Sequence, residues 1–444
     1  MSRSLFIKAY SEDIEMKKVL KAEMWDKMQY LFRNYYDRMM HCALFYNGTI
    51  DADVLTRVLH FQLDNVPVLH SRYHNNPVKP YWVVQDYKTD DFLTVRASDD
   101  LDRDIMAFVT QRIPITDNVQ IKVGLFTKDG KSAIAFVVNH MCFDGGDLKY
   151  FVTKLCENYT KLLAGDENLE IKHGTRSYDA VYSAMSEEDK KTAKSLYRNI
   201  SAVKDEHFFP LTEKREGDVN RIVRRKLSAE RFNAARLAGK AMGFTVNDII
   251  LAAYVRSLYE FGVCKDDERL TIPCMVDLRR HLAKGGQETG LTNHTGFMPV
   301  TIDGNGKDMR DMLDKVAKAM EKNKHDKFLG LYSLPLLHLA YAVFPHCISE
   351  QAIKLGYDNP LIGMSNIGSI KPSDYRMGDA VPEDGFYTGA VKGKPFMQLA
   401  LTTFEGEVTF TIAITGNEED EKIVNEFFDI LLDNIDKIAR IGQK

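Results

Sequence analysis

The stretch FVVNHMCFDGGDLKYF, residues 136–151, gathers an amide, an imidazole, a thiol and two carboxylates around a pair of glycines. An apolar β run through Phe136, Val137 and Val138 delivers Asn139 and His140 to a strand terminus, and Asp144-Gly145-Gly146 then turns the chain into a helix. A histidine on such a rigid end suits proton abstraction from a hydroxyl or amine, because an unperturbed pKa near ~6.5 leaves the ring mostly neutral at pH 7. Asp144, in the turn, can fold back to fix the imidazole or the loop, and the glycines admit backbone geometry that a Cβ would forbid. A plainer reading makes His140 an ordinary strand-end histidine and Asp144 a helix cap.

The run Asn139-His140-Met141-Cys142-Phe143-Asp144-Gly145 resembles the His-His-x-x-x-Asp-Gly signature of the condensation-domain and chloramphenicol-acetyltransferase-like acyltransferase superfamily. Asn139 stands where the first histidine of that signature usually is. Residues 245–258 (TVNDIILAAYVRSL), 274–282 (CMVDLRRHL) and 364–370 (MSNIGSI) are similar, in the same order, to the superfamily's second-half helix, the strand after it and a late Ser-Asn-x-Gly strand. The resemblance implies an α/β chain of two acetyltransferase-like lobes, each a mixed sheet with helices packed on it, forming a pseudo-dimer with a central channel. It assigns general-base chemistry to His140 and structural roles to Asn139, Asp144 and Gly145. It also implies an ion pair between Asp144 and a second-lobe arginine, with Arg279 the candidate and Arg280 its rival. Ser365 and Asn366 become candidates for polarising a carbonyl or orienting the acceptor.

The reaction so implied moves an acyl group from a coenzyme A or carrier-protein thioester to a hydroxyl or amine. An acyl-CoA or phosphopantetheine thioester is then a co-substrate, and no tightly bound cofactor or metal is expected. The expected partners are the acyl donor, a small-molecule acceptor and, for a carrier-bound donor, a carrier protein. Two alternatives stand beside this: a free-standing peptide-synthetase-type condensation enzyme that forms amides, and a non-catalytic homologue that binds an acyl carrier.

Positioning that site requires strands and helices mixed along the whole chain, with no internal repeat or low-complexity linker. Apolar alternation predicts strands at 40–48, 81–87, 92–97, 119–126 and 132–140, and helices at 22–33, 101–113 and 148–165, with a further helix capped by Asp51 or Asp53. A polar, irregular stretch separates these from a second set of elements. We therefore divide the chain into a first lobe at 1–170, a connecting segment at 171–218 and a second lobe at 219–444. The second set comprises strands at 221–228, 270–280, 296–303 and 361–370, a hairpin at 396–415, and helices at 229–243, 245–262, 307–323 and 419–439. Thr245 and Asp248 form a variant capping box.

Other side chains carry weaker readings. Cys142 is either a nucleophile activated by His140 or a packed thiol. His70 and His74 have ligand spacing only if helical, and two ligands do not close a zinc site. Arg221, Arg224, Arg225 and Lys226 can meet the phosphates of a donor or form a solvated edge. His338 and His346 read as packing or tunnel-lining residues, and Tyr35, Tyr36 and Trp82 as core.

With 59 Lys+Arg against 63 Asp+Glu, the formal charge of −4 gives no general attraction to nucleic acid or anionic membrane. The longest apolar region, 331–348, is interrupted by Pro335, His338, Pro345 and His346, so no membrane span is expected. The N-terminal segment lacks the apolar core of a signal peptide. Cys42, Cys142, Cys156, Cys264, Cys274 and Cys347 contain no CxxC pairing and read as free thiols in a reducing compartment, so the expected location is the cytoplasm.

Overall fold

The computed structural model describes residues 18–196, 205–282, 289–332, 334–356 and 360–441. The segment that argued against a signal peptide lies, apart from its last two residues, outside the described residues, as do residues 197–204 of the connecting segment.

Two large sheets and one small sheet organise the chain. The first large sheet runs Pro382–Thr388, Met39–Tyr46, Lys131–Asn139, Ile121–Lys128, Leu93–Ala97, antiparallel throughout except for the last pair. Its central strands are buried along almost their whole length, so both faces need cover. Helices Ala52–Asn65 and Gly145–Leu163 bury Leu55, Leu59, Phe151 and Leu155 in one cluster with Cys42, Leu44 and Phe136. On the other face, helix Leu101–Val109 packs with Ala43, Ala133 and Ala135, and Ile222 and Ala413 from the second half join that cluster.

The second large sheet runs Thr295–Asp303, Arg269–Asp277, Ile362–Ile370, Met397–Phe404, Glu407–Gly416, Val219–Leu227. Helix Val246–Glu260 is buried at every residue from Asp248 to Val255, as a helix wedged between a sheet and other helices must be. Its start is fixed by the expected capping box: Thr245 N donates to Asp248 Oδ2 at 2.8 Å, and Asp248 N to Thr245 Oγ1 at 3.3 Å. The small sheet joins Val19–Lys21, Tyr81–Val84 and Ser71–His74 around the fully buried Trp82.

Three features differ from the sequence reading. Strand Pro382–Thr388, within the span 219–444, pairs with Met39–Tyr46 and so belongs to the first sheet. The interrupted run 331–348 folds into helix Leu334–Val343 and the start of helix His346–Gly356. Pro335 lies in a first turn, where a missing N–H leaves no hydrogen bond unmade, and Pro345 precedes the second helix. Arg279 and Arg280 stand in a 3-10 turn, Leu278–His281, because the Asp277 side chain accepts the Arg279 N–H at 2.9 Å and ends the strand. Among the described residues no helix is long and apolar enough to cross a membrane. All six cysteines are free, and of them Cys347 is exposed.

Candidate active site

Strand Lys131–Asn139 stops one residue before His140. The His140 N–H donates to the Arg38 carbonyl at 2.8 Å, and Arg38 holds a left-handed backbone with φ 64°, uncommon for a residue with a Cβ. From the second half, Asn293 Nδ2 donates to the His140 carbonyl at 3.0 Å and stands 3.2 Å from Nδ1. His140 keeps partial exposure. Burial lowers its pKa from the usual 6.5; its own carbonyl, the Asp144 charge and the Phe143 carbonyl oppose this in part, while Lys392 adds to it. The imidazole is therefore mainly neutral at pH 7, the form that accepts a proton.

Asn139 is fully buried, and both ends of its amide are used. Nδ2 donates to Gln120 Oε1 at 2.8 Å, and Oδ1 accepts the Met141 N–H at 3.1 Å. An amide supplies both a donor and an acceptor, which is what this turn requires.

Asp144 caps helix Gly145–Leu163 through the Asp147 N–H at 3.0 Å and takes both terminal nitrogens of Arg279 at 3.0 Å each. Its Oδ2 also accepts the His294 N–H at 2.7 Å. Burial disfavours the charge on Asp144, but Arg279 and these hydrogen bonds outweigh it and hold the carboxyl below its usual range. Arg279 also lies 2.8 Å from Asp147, which pairs with Lys172 and accepts the Thr292 N–H at 2.8 Å. Arg280 is exposed. The steric demand for glycine falls on Gly146: a Cβ there would meet Arg279 at 3.0 Å, whereas one on Gly145 would enter open space, so Gly145 is not the residue that the turn's geometry requires.

A second arginine clamps the same loop. Arg176 pairs with both oxygens of Asp26, at 2.9 and 3.1 Å, and donates to the carbonyls of Met141 and Cys142 at 3.3 and 3.1 Å. Cys142 itself is fully buried, its Sγ 3.7 Å from the Val68 carbonyl, and burial raises its thiol pKa well above the usual value. It packs as core and is no nucleophile for His140. His294 is also no second base: burial and then Arg279 push its pKa down to about 4.

The remaining candidates separate. Asn366 spends its amide on a strand bend, donating to Asn247 Oδ1 at 2.8 Å and accepting the Gly368 N–H at 3.0 Å, with Gly368 at φ 90°. Ser365 is partly exposed, and its hydroxyl has no hydrogen bond among the described residues. Lys149, on the helix after His140, donates to the carbonyls of Ile367 and Ser369 at 3.3 and 2.9 Å and ties this bend to the first half. Each member of the basic run carries a carboxylate: Arg221 has Glu421, Arg224 has Asp102, Arg225 has Asp429, and Lys226 has Asp384 and Glu407. That occupancy argues against a phosphate site there. His70 lies in a 3-10 turn and His74 in a strand, so their spacing is not helical. His346 bonds Asn75 at 2.8 Å, and His338 packs on Tyr178.

The condensation-domain family model matches residues 25–338, well over half of the chain. The chain belongs to the condensation-domain family. Among solved structures, the first condensation domain of the CDA synthetase is similar with TM-score 0.68 at 14% identity, over 95% of this chain and 97% of that one. The trichothecene 15-O-acetyltransferase from Fusarium sporotrichioides gives TM-score 0.67 at 15% identity, over 94% of each chain. A variant of the starter condensation domain of rhizomide synthetase, in complex with C8-CoA, gives 0.65 at 12% identity, over 96% of each chain. These likenesses establish the fold as a pseudo-dimer of chloramphenicol-acetyltransferase-like lobes. No curated protein matches the chain significantly.

Within this family fold, a cleft of ≈ 310 Å³ opens between the halves, lined by Phe32, Tyr35 and Tyr36 from one and by Met275, Lys392 and Phe396 among others from the second. Tyr35 is thus exposed to a cavity and is not core, whereas Tyr36 lines the same cavity while packing against a core cluster that contains Phe32. Sequence reasoning passed over Asn293, Asp147, Arg176 and Lys392. Asp147 lay inside the motif stretch, and its place one helical turn after Asp144 was the available signal. The other three come from segments without a motif.

Proposed function

We propose that the protein is an acyltransferase that moves an acyl group from a coenzyme A or carrier-protein thioester to a hydroxyl or amine, with His140 as general base. The observation that carries this is a neutral, partly exposed imidazole at a strand end, gripped by Arg38 from its own half and by Asn293 from the other. The similar fold of an O-acetyltransferase and of a condensation domain holding C8-CoA supports the reaction class.

In this reading the ring adopts the tautomer whose Nε2 holds the free lone pair, and Asn293 Nδ2 spends its hydrogen bond on the His140 carbonyl and not on Nδ1. As the acceptor oxygen or nitrogen bonds to the thioester carbon, Nε2 takes its proton. When the C–S bond breaks, the imidazolium returns that proton to the departing thiolate, so no acyl-enzyme is required. Asp144 and Arg279 stay charged and hold the loop. Ser365 is the remaining candidate for polarising the carbonyl, since Asn366 is committed to its bend. Amide formation is the second reading, favoured by the family match itself.

The test is incubation of the protein with a panel of acyl-CoAs and cell extract, with mass spectrometry for new esters or amides. His140→Ala should lower turnover by roughly 10²–10⁴-fold, the usual worth of a positioned base, with thioester binding retained. Undiminished turnover in that variant would remove His140 from the chemistry. No product from either protein with any donor would favour a homologue that only binds acyl carriers.

A further inference from the structure

Lys392 follows strand Pro382–Thr388, and its backbone bridges to Tyr36 on one side and Ile414 on the other, so it is fixed from both halves. Its ammonium lies 3.9 Å from the centre of the Tyr36 ring, in the cleft walled by Phe32, Tyr35 and Phe396. Among the described residues it has no hydrogen-bond or ion-pair partner. Asp37 is near enough to favour its charge but not paired with it; Asp37 Oδ1 accepts the Met39 and Val391 N–H groups, each at 3.0 Å.

The other charges of the cleft are accounted for. Lys354 sits 3.3 Å from Glu350. Asp205 accepts the Thr271 N–H at 2.6 Å and bonds His207 at 2.8 Å, and Glu206 is exposed. Lys392 is thus a partly exposed cation whose ammonium has no direct carboxylate contact, only the more distant charge of Asp37, an arrangement that carries a desolvation cost. Burial pushes its pKa down to about 8 against the opposing pull of Asp37. Tyr36 bridges to Lys392 and, two residues on, the Arg38 carbonyl accepts the His140 N–H at 2.8 Å, so one short segment holds both side chains, and the Lys392 charge disfavours the imidazolium.

We propose that Lys392 anchors the carboxylate of a substrate with an aromatic or apolar body, seated in this cleft within reach of His140. The proposal rests on the acyl-transfer reading and names the substrate class for it. The phosphates of coenzyme A do not meet the description, because the pantetheine arm separates them from the thioester that must reach His140.

The test uses 3-phenylpropionate and its neutral amide, titrated into the full chain by NMR. Wild type and Lys392→Arg should bind the carboxylate about tenfold tighter than the amide, the scale of one charge-assisted pair. In Lys392→Met that preference should vanish. Equal affinity for the two probes in wild type, no binding of the carboxylate, or a preference that survives in Lys392→Met would each overturn the proposal. The two ideas fail separately. Transfer that persists in His140→Ala, with the carboxylate preference intact, removes only the base. Absence of the preference while transfer still depends on His140 removes only the anchor.

Discussion

Replacing Arg279 with methionine removes the guanidinium that two buried carboxylates share. Asp144 and Asp147 are 3% and 1% exposed, and Arg279 reaches them at 3.0 and 2.8 Å. Removing one partner of a buried pair typically costs 3–5 kcal/mol, because the remaining charge stays desolvated. Two features place this case at the low end: Lys172 still serves Asp147, and the Arg279 side chain is one-fifth exposed. The expected loss is about 3 kcal/mol, read as a lower urea midpoint at unchanged m-value. Arg280→Met, an exposed neighbour, should stay within about 0.5 kcal/mol of wild type. The difference must also depend on pH with a fixed sign. Arg279 holds the folded-state pKa of Asp144 below the ordinary 3.8, so its stabilisation is complete above that value and is lost as the pH falls through the folded-state value. The gap between wild type and Arg279→Met should therefore close on acidification. Asp144→Asn combined with Arg279→Met should cost less than the sum of the single changes. If Arg279→Met is as stable as Arg280→Met while activity collapses, the ion pair serves chemistry directly and the structural account is wrong.

Two further outcomes are expected. The acid limb of kcat/KM should lie below pH 6.5, because burial and Lys392 together disfavour the imidazolium more than Asp144 and the nearby carbonyls favour it; a limb above 6.5 would contradict that balance. Gly145→Ala should be neutral or stabilising by up to about 1 kcal/mol, whereas Gly146→Ala should destabilise by pressing on Arg279; comparison of their urea midpoints distinguishes the two.

Much of the architecture was readable because it is local. The Thr245–Asp248 box, the apolar strand feeding Asn139 and the hairpin around Glu405-Gly406 each carry their instructions within a few residues. Pro335 misled as a break because proline is equally at home at a helix start, whereas Pro345 does separate two helices. Strand Pro382–Thr388 was passed over: its pairing with Met39–Tyr46 depends on a partner at the far end of the chain. The site divides in the same way. His140, Asn139 and Asp144 sit in one contiguous motif, and Arg279 in the VDLRR run carried the family resemblance. Asn293, Arg176 and Lys392 are ordinary polar residues whose meaning comes only from what the fold sets against them. The basic run 221–226 left two readings open for the opposite reason, since charges adjacent in sequence are each paired with carboxylates from remote elements, which no local pattern announces.

The crossing strand has a consequence for biosynthesis. The first sheet receives one of its edges from residues 382–388, so on the ribosome its strand Met39–Tyr46 waits with a row of unsatisfied N–H and C=O groups until residue 388 has emerged. During translation that nascent half is a sticky intermediate, open to mispairing with a neighbouring copy. Either half expressed alone would inherit the same exposed seam.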